Sequence, residues 1–516
     1  MATASPLARA RRSTELSLVV MAGLITAGAY TLASLGQYTQ MPARIVPFLL
    51  TLLGMLLLAH LAVRWFARGS EPTMLPVVAL LHGLGYVMIT RLDPVDLSGL
   101  QTTWSIVAIV VFVLTLAIVQ RAPDLARYRW TFLAAGVGLL LLPLVPGLGT
   151  NVGGARIWVS LGPVNFQPGE FAKIALAIFF ASYLADNRQL ISGATWRVGP
   201  LRLPEPRYLL PVAGAWAFSV LVMVAEKDLG SSLLFFTLFV VMLWVSTERV
   251  LYLVIGLVSF ATAAVVSWQM FAHVQLRVDI WLDPWADRND DGYQLVQAIY
   301  GMGDGGLMGT GLGRGSPDIV PVAESDFIFT SIAEELGLFG GAAVLISYLL
   351  MVGAGLRIAL RTENAFEKLL AVGLTTIMGM QAFIIIGGVI KLVPLTGITL
   401  PFVSYGGSSL VSNYVLLALL IRLSDSTARR LHEVPDDPTM AERWAARRLR
   451  RSHTRGRVSR KAGVPQSSTR GSAAVLRHAG LARQGASAAS LPWRNIGNVP
   501  PQAAPRLPSE RSELQP

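Results

Sequence analysis

The chain is patterned as long, almost uninterrupted apolar runs separated by short polar connections. A bilayer core ~30 Å thick takes about 20 apolar residues of helix to cross. Runs of that kind lie at 16–36, 45–63, 73–91, 103–120, 130–147, 168–185, 208–225, 230–246, 250–271, 327–355, 367–390 and 401–422. The pattern predicts an all-α, polytopic integral membrane protein of about 12 transmembrane helices. The first run is too long for a cleaved signal peptide and has no small-x-small site after it. The least apolar run is 168–185, which contains Glu170 and Lys173. The run at 230–246 follows closely on its predecessor.

One connection, 272–326, is too polar to cross and far longer than the others. It holds Asp279, Asp283, Asp287, Asp290, Asp291, Asp304, Asp318, Glu324 and Asp326 against three arginines. A connection of that length is functional or disordered, and Trp281, Trp285, Tyr293 and Leu295 argue for order. Ser325 or Asp326 is placed to cap the helix that begins at Phe327.

Composition supports the membrane reading. The 516 residues are 53% hydrophobic and 14% charged, with no cysteine. A soluble chain is roughly a quarter charged, so a soluble enzyme, a disulfide scaffold and a mainly disordered chain are all excluded. The net charge of +12 suggests nucleic acid until it is located. Residues 429–516 hold 17 basic and 6 acidic side chains; residues 1–428 hold the remaining 26 and 25. The excess is therefore a C-terminal tail, rich in Arg, Ala, Ser, Pro and Gly, that reads as disordered and attracted to anionic lipid headgroups. No nucleic-acid partner is implied.

The positive-inside rule orients the chain. With Arg9, Arg11 and Arg12 in the cytoplasm, the inside connections carry Arg64 and Arg68; Arg121, Arg127 and Arg129; Arg188, Arg197, Arg202 and Arg207; Arg249; and Arg357, Arg361 and Lys368. Outside connections hold scattered cations, Arg44, Arg91, Arg156, Lys227 and Lys391, with Arg277, Arg288 and Arg314 in the acidic loop. Both termini are then cytoplasmic and 272–326 is extracellular. The organisation reads as a cytoplasmic N-terminus at 1–15, two N-terminal helices at 16–72, a membrane core at 73–424 and the basic tail at 425–516.

Ionisable residues at membrane depth point to function. Glu170 and Lys173, three apart, share a helix face and can pair. Asp228 sits at the end of a span, where it either caps a helix or lines a site. Glu334 and Glu335 lie two turns into a helix, where one of them faces a cavity or a partner. Residues 394–409, with Pro394, Pro401, Gly406 and Gly407, break helix continuity at membrane depth, which is tolerated where backbone is buried or lines a cavity. Ser404, Tyr405, Ser408 and Ser409 supply hydrogen-bonding groups that favour the cavity.

Gly301-Met-Gly303-Asp-Gly-Gly306 matches a dinucleotide fingerprint but lacks the strand–turn–helix setting that motif needs. Its glycines read as close-packed turns. Asp287-Arg-Asn289-Asp-Asp291-Gly292 matches the first half of a calcium loop, but its twelfth position is Ala298 instead of the bidentate Glu. A weak divalent site (Mg or Mn) at Asp287, Asn289 and Asp291 stays open by ligand type. No tightly bound cofactor is implied.

Several motifs, in order from about residue 73 to 424, resemble the SEDS family, the RodA- and FtsW-type peptidoglycan polymerases. They are Gly154-Ala-Arg156-Ile-Trp158, Phe166-Gln-Pro-Gly-Glu170-Phe-Ala-Lys173, Asp228-Leu-Gly230, Leu282-Asp-Pro-Trp-Ala-Asp287 with Gly292-Tyr-Gln294, Ser325-Asp-Phe-Ile-Phe329 with Glu334-Glu-Leu-Gly337, and Leu400-Pro-Phe-Val-Ser-Tyr-Gly-Gly-Ser408. The family core has ten spans, so the first two here are extra. Extra helices and a basic tail resemble the actinobacterial branch, and the Leu-Asp-Pro form of the loop leans towards RodA and cell elongation. Gly169, Glu324 and Arg288 depart from the family's usual residues.

The resemblance implies an inverting glycosyltransferase that polymerises lipid II, the undecaprenyl-diphosphate-linked disaccharide-peptide, at the outer face of the cytoplasmic membrane. It aligns the catalytic base with Asp287; Asp283, Asp290 and Asp291 stay in play. A base must take the proton of the attacking hydroxyl, and the leaving diphosphate needs cationic help, for which Arg156 and Arg277 are candidates. Lys173, Glu170, Asp228, Glu335, Ser404, Tyr405 and Ser408 are candidate substrate-binding residues. The expected partner is a class B penicillin-binding protein. The alternatives are an FtsW-type division polymerase, a flippase or transporter of the lipid-linked precursor, and a scaffold.

Overall fold

A computed structural model describes residues 6–41, 45–93, 97–152, 155–161, 164–193, 196–198, 201–203 and 206–431. The chain divides into Met1–Ala445 and Ala446–Pro516, and the second unit lies outside the described residues.

Among the described residues the first unit contains twelve long helices. They are α1 (Pro6–Tyr38), α2 (Ile45–Phe66), α3 (Met74–Leu92), α4 (Leu97–Ile118), α5 (Arg129–Leu141), α6 (Gly169–Asp186), α8 (Pro206–Ala225), α9 (Leu229–Thr247), α10 (Val250–Met270), α13 (Ile328–Arg361), α14 (Ala365–Val389) and α15 (Gly407–Arg430). Shorter helices α7 (Arg188–Ser192), α11 (Ala272–Leu282) and α12 (Tyr293–Gly305) lie between them. A small antiparallel sheet, β1 (Gly149–Val152), β2 (Ala155–Leu161) and β3 (Val164–Phe166), follows α5, and a hairpin, β4 (Trp196–Val198) and β5 (Leu201–Leu203), follows α7.

Eleven helical stretches among the described residues are long and apolar enough to cross a membrane. The helix left out is α6, because Glu170, Lys173 and Asp186 fall within its 18 residues. Yet every residue from 172 to 184 is buried. The helix packs on α5, α9 and α14 and needs no lipid-facing surface, so its charges are matched by neighbours. At the other extreme, α10 packs mainly on α9 and leaves Val254, Leu257, Val258, Val265 and Val266 exposed. A contiguous apolar face of that kind belongs against lipid. The chain is an integral membrane protein.

Contacts at the helix ends sort the bundle into two ends. At one, Gly69 N–H donates to Asp425 Oδ1 (2.7 Å), Arg422 Nη2 donates to the Leu116 carbonyl (2.6 Å), and Arg430 pairs with Glu367 (2.9 Å). Arg129–Asp186 and Arg188–Glu248 ion pairs lie at the same helix ends, and the start of α1 is tied to α2 through Glu15 with His60 and Arg64. At the other end lie the small sheet, α11, α12 and the connection between α14 and α15. Each long helix runs from one end to the other, so the start of α1 and the end of α15 share an end. Asp425 is held by Gly69, Arg422 and Arg429, which keeps α15 helical to Arg430. The tail expected at 425–516 lies outside the described residues from 432 onward.

The long connection is ordered. Helices α11 and α12 flank a tight turn at 283–292. The expected side-chain cap at Ser325 or Asp326 does not form: α13 begins after Phe327 with no side-chain cap, and the Ser325 hydroxyl instead donates to Asp326 Oδ1 (3.1 Å). Helix α13 is broken at Gly337, where φ is +67°.

Candidate active site

The turn at 283–292 owes its shape to local bonds. Asp283 Oδ1 accepts the Trp285 N–H (3.1 Å), the side-chain-to-backbone bond that Asp uses to start a turn. The Asp287 carbonyl accepts the Gly292 N–H (3.0 Å) and closes it. A Cβ at Gly292 would lie 2.3 Å from the Pro284 carbonyl oxygen, so only glycine fits. Pro284 and Gly292 are buried, while Asp283, Asp287, Arg288, Asn289, Asp290 and Asp291 are all exposed. Among the described residues nothing hydrogen-bonds or pairs with the Asp287 carboxylate, which therefore faces solvent on a closed, internally bonded turn.

The base of that turn is fixed to the break between α14 and α15. Trp281 Nε1 donates to the Lys391 carbonyl (3.1 Å), Lys391 Nζ donates to the Leu282 carbonyl (3.1 Å), and Arg277 Nη1 donates to the Leu395 carbonyl (3.2 Å). On the far side, the Tyr405 N–H donates to the Glu324 carbonyl (2.8 Å) and the Ser404 hydroxyl to the Ser325 carbonyl (2.5 Å).

Arg277 is thereby set between Asp228 and Asp326, two carboxylates that support the charge its burial opposes. Burial pushes the Asp326 carboxyl up to about 6, with the Ser325 hydroxyl and Arg277 pulling the other way. Asp228 also caps α9, its Oδ1 accepting the Ser231 N–H at 2.9 Å. Glu226 joins the group. Its carbonyl accepts the Arg156 N–H of β2 (3.2 Å), and burial, then the nearby Asp228, raises its carboxyl to about 8.

Beneath this cluster, at membrane depth, Lys173 Nζ lies 2.5 Å from Glu170 Oε2 and 2.8 Å from Gln381 Oε1. The Ser412 hydroxyl donates to the same Glu170 oxygen (2.9 Å), and Gln381 Nε2 donates to the Thr399 carbonyl (3.0 Å). Spacing alone predicts the pairing of Glu170 with Lys173, and it does not reach Gln381 and Ser412. A lone glutamine in the apolar run of α14 was the available signal.

The structure thus groups Asp228 with Arg277 and Asp326, places Arg156 beside Glu226, and sets Glu170 and Lys173 below. It puts Ser404 and Tyr405 on the 324–326 segment, and Ser408 at the Gln167 N–H (3.0 Å). Ser404, Ser408 and Ser409 all make hydrogen bonds within the protein. Ser404 also accepts the Leu400 N–H, and Ser409 accepts from Thr399 (2.6 Å). Pro401, Phe402 and Val403 are buried, so the broken backbone is packed in. Glu335 is not in this group. It pairs with Arg91 of α3 (3.0 Å) and accepts the Gly313 N–H (2.9 Å), while Glu334 accepts the Ser316 N–H (2.6 Å). The glycine-rich stretch is the packing surface expected of it. It lies on Glu334 and Glu335, and a Cβ at Gly309 would come within 2.2 Å of the Glu335 carbonyl oxygen.

No group of three or more His, Cys, Asp or Glu side chains converges as a metal site among the described residues. At Asp287, Asn289 and Asp291 the donors are two carboxylates and an amide on exposed residues.

A family model described as a cell cycle protein, FtsW/RodA/SpoVE, matches residues 71–429. The chain is 44% identical over 435 residues to the peptidoglycan glycosyltransferase RodA of Mycobacterium tuberculosis, covering 82% of this chain and 93% of that one. It is 41% identical over 442 residues to the RodA of Mycobacterium leprae, covering 84% and 94%. Among solved structures, a chain of a peptidoglycan synthase complex that coordinates polymerization and crosslinking matches with a TM-score of 0.59 and 25% identity, covering 69% of this chain and 98% of that chain. The chain belongs to the FtsW/RodA/SpoVE family of cell cycle proteins.

Proposed function

We infer that this chain is a peptidoglycan glycosyltransferase of the RodA type, which polymerises lipid II into glycan strands for cell elongation. The observation that carries the reading is the 283–292 turn. It presents Asp287 to solvent on a rigid base, within a chain 44% identical to a RodA over most of its length. Arg64, Arg68, Arg129, Arg188, Arg249, Arg357 and Arg361 belong to the end away from that turn. By the positive-inside rule that end is cytoplasmic and the turn faces outward, where a lipid-carried sugar is accessible.

In this reading Asp287 accepts the proton of the incoming 4-hydroxyl as its oxygen attacks the anomeric carbon. The bond to the diphosphate breaks in the same displacement, so the anomeric centre inverts. The diphosphate leaves with its charge and needs no general acid. Arg277, held by the Leu395 carbonyl between Asp228 and Asp326, and Arg156 on the small sheet supply positive charge on the side of the bundle where it departs. Asp287, Asn289 and Asp291 are the residues that would hold a divalent cation, which would supply Lewis-acid stabilisation of the leaving diphosphate. Lys173 and Glu170 keep the α6–α14–α15 junction beneath the site in one arrangement. A class B penicillin-binding protein is the crosslinking partner; the similarity to a chain of a synthase complex supports it.

Incubating the purified protein with lipid II in detergent tests the reading. Glycan polymer formed with no membrane barrier supports a polymerase. Absence of polymer, with lipid II moved across vesicle membranes instead, identifies a transporter.

A further inference from the structure

A cavity of about 640 Å³ lies between the two N-terminal helices, α1 and α2, and the core helices α3 and α4. Its volume is in the ~300–1,000 Å³ range of small-molecule sites. Exposed Tyr38 and Met41 mark its mouth, at the same end of the bundle as the acidic loop. Its floor reaches His82, near the middle of α3.

The lining has two parts. Phe48, Leu52, Met55 and Val87 are apolar and suit hydrocarbon. Gln37, Gln40, Tyr86, Thr90 and Thr102 add amides and hydroxyls. The Tyr86 hydroxyl lies 2.7 Å from Thr102 Oγ1, which itself donates to the Ser98 carbonyl (2.8 Å), so a ligand there meets the remaining lone pairs of a bonded pair. The Thr90 hydroxyl is buried and has no partner among the described residues. Aromatic rings line one wall, with Tyr30 stacked on Phe48 at 4.1 Å and Phe48 tilted on Tyr86 at 5.3 Å between ring centres.

Charge narrows the ligand. Arg91 is the one cation in the described lining, and it is neutralised by Glu335 and bonded to the Gly315 carbonyl. Both ring nitrogens of His82 are taken, by the Tyr414 hydroxyl (2.7 Å) and the Ser105 hydroxyl (2.8 Å). Among the described residues no uncompensated charge is left in the lining to hold a phosphate. Aromatic faces beside hydroxyls and amides suit a sugar ring, whose C–H faces stack and whose hydroxyls bond.

We propose that this cavity is a lipid site for an amphiphile with an uncharged, polyhydroxylated head, a neutral glycolipid, distinct from the anionic substrate. The head contacts the Tyr86–Thr90–Thr102 wall, and the tail lies along Phe48, Leu52 and Met55.

The full chain is reconstituted in nanodiscs of phosphatidylcholine containing either diglucosyl diacylglycerol or phosphatidylglycerol, and retained lipid is read by native mass spectrometry. The glycolipid is expected to be retained about tenfold over phosphatidylglycerol, roughly 1.4 kcal/mol. Thr51→Trp, from the α2 side, fills the cavity and abolishes that preference. Gly99→Trp does so from α4, where a Cβ meets nothing within 4 Å, and serves if the first variant does not fold. Leu53→Trp, on the exposed face of α2, keeps it. Equal retention of the two lipids by the wild type, or an undiminished preference in a folded cavity-filling variant, overturns the proposal.

Discussion

Arg91 Nε lies 3.0 Å from Glu335 Oε1, joining α3 to α13 across 244 positions of sequence, and both side chains are buried. Arg91 also holds the Gly315 carbonyl and Glu335 the Gly313 N–H, so one ion pair seats the glycine-rich stretch on the bundle. Removing one member of a buried pair leaves the other charged and unmatched, at a cost of about 3–5 kcal/mol. Arg91→Met is therefore expected to lower the melting temperature in detergent sharply and to speed amide exchange over 306–316. Arg91→Met with Glu335→Gln should recover part of the loss. Full additivity in that double-mutant cycle would mean the pair does not hold the stretch.

Gly337 and Gly309 interlock. Gly337 has φ +67°, and a Cβ there would sit 2.3 Å from the Gly309 nitrogen. Gly337→Ala combines backbone strain of order 1–3 kcal/mol with a clash against backbone, and should reduce folded yield severely. Gly303→Ala, inside α12 with nothing within 4 Å of the new Cβ, should stabilise by about 0.5–1 kcal/mol. Thermal unfolding of the two variants side by side checks the contrast.

Lys173→Met should lower both melting temperature and polymerisation, because Glu170 stays buried with only Ser412 left as a side-chain partner. Gln381→Leu removes a neutral acceptor, and the loss should be smaller, of order 1–3 kcal/mol. An equal or larger loss from Gln381→Leu would contradict the ion-pair account of this junction.

The carboxyl of Glu226 titrates at about 8 in the folded protein against an ordinary 4.5. Between those values the folded state binds more protons than the unfolded one. The stabilisation is therefore full below about 4.5 and is lost as pH rises towards 8. One such group contributes a slope of at most about 1.4 kcal/mol per pH unit. The melting temperature should fall from about pH 5 to 8, and Glu226→Gln should flatten that fall. Parallel profiles for wild type and variant would show that Glu226 is not the group responsible.

The sequence made the spans legible because lipid imposes an apolar length, and α9 at Leu229–Thr247 matches the run at 230–246 within a residue at each end. The charged run at 168–185 was also recognisable, but its central place was not. Hydropathy reports contact with lipid, whereas α6 is surrounded by protein. The Glu170–Lys173 pair and the Asp228 cap follow from local spacing, which sequence carries directly. The packing of 394–409 and the Arg91–Glu335 pair depend on contacts between distant elements. The serines there announced hydrogen bonds without announcing their partners. The same holds for Glu226, whose carbonyl meets β2 only in the folded chain.

The central claim is that the Asp287 carboxylate is the base, and a variant series measures it most directly. Asp287→Asn, Asp283→Asn, Asp290→Asn and Asp291→Asn are purified, shown to have wild-type melting temperatures, and given lipid II with and without chelator. Glycan strand length and rate are read on gels. Loss of the base should lower the rate of Asp287→Asn by about 10²–10⁴-fold, while the other three retain most of their activity. Wild-type elongation by Asp287→Asn, or a loss confined to one of its neighbours, would contradict the account.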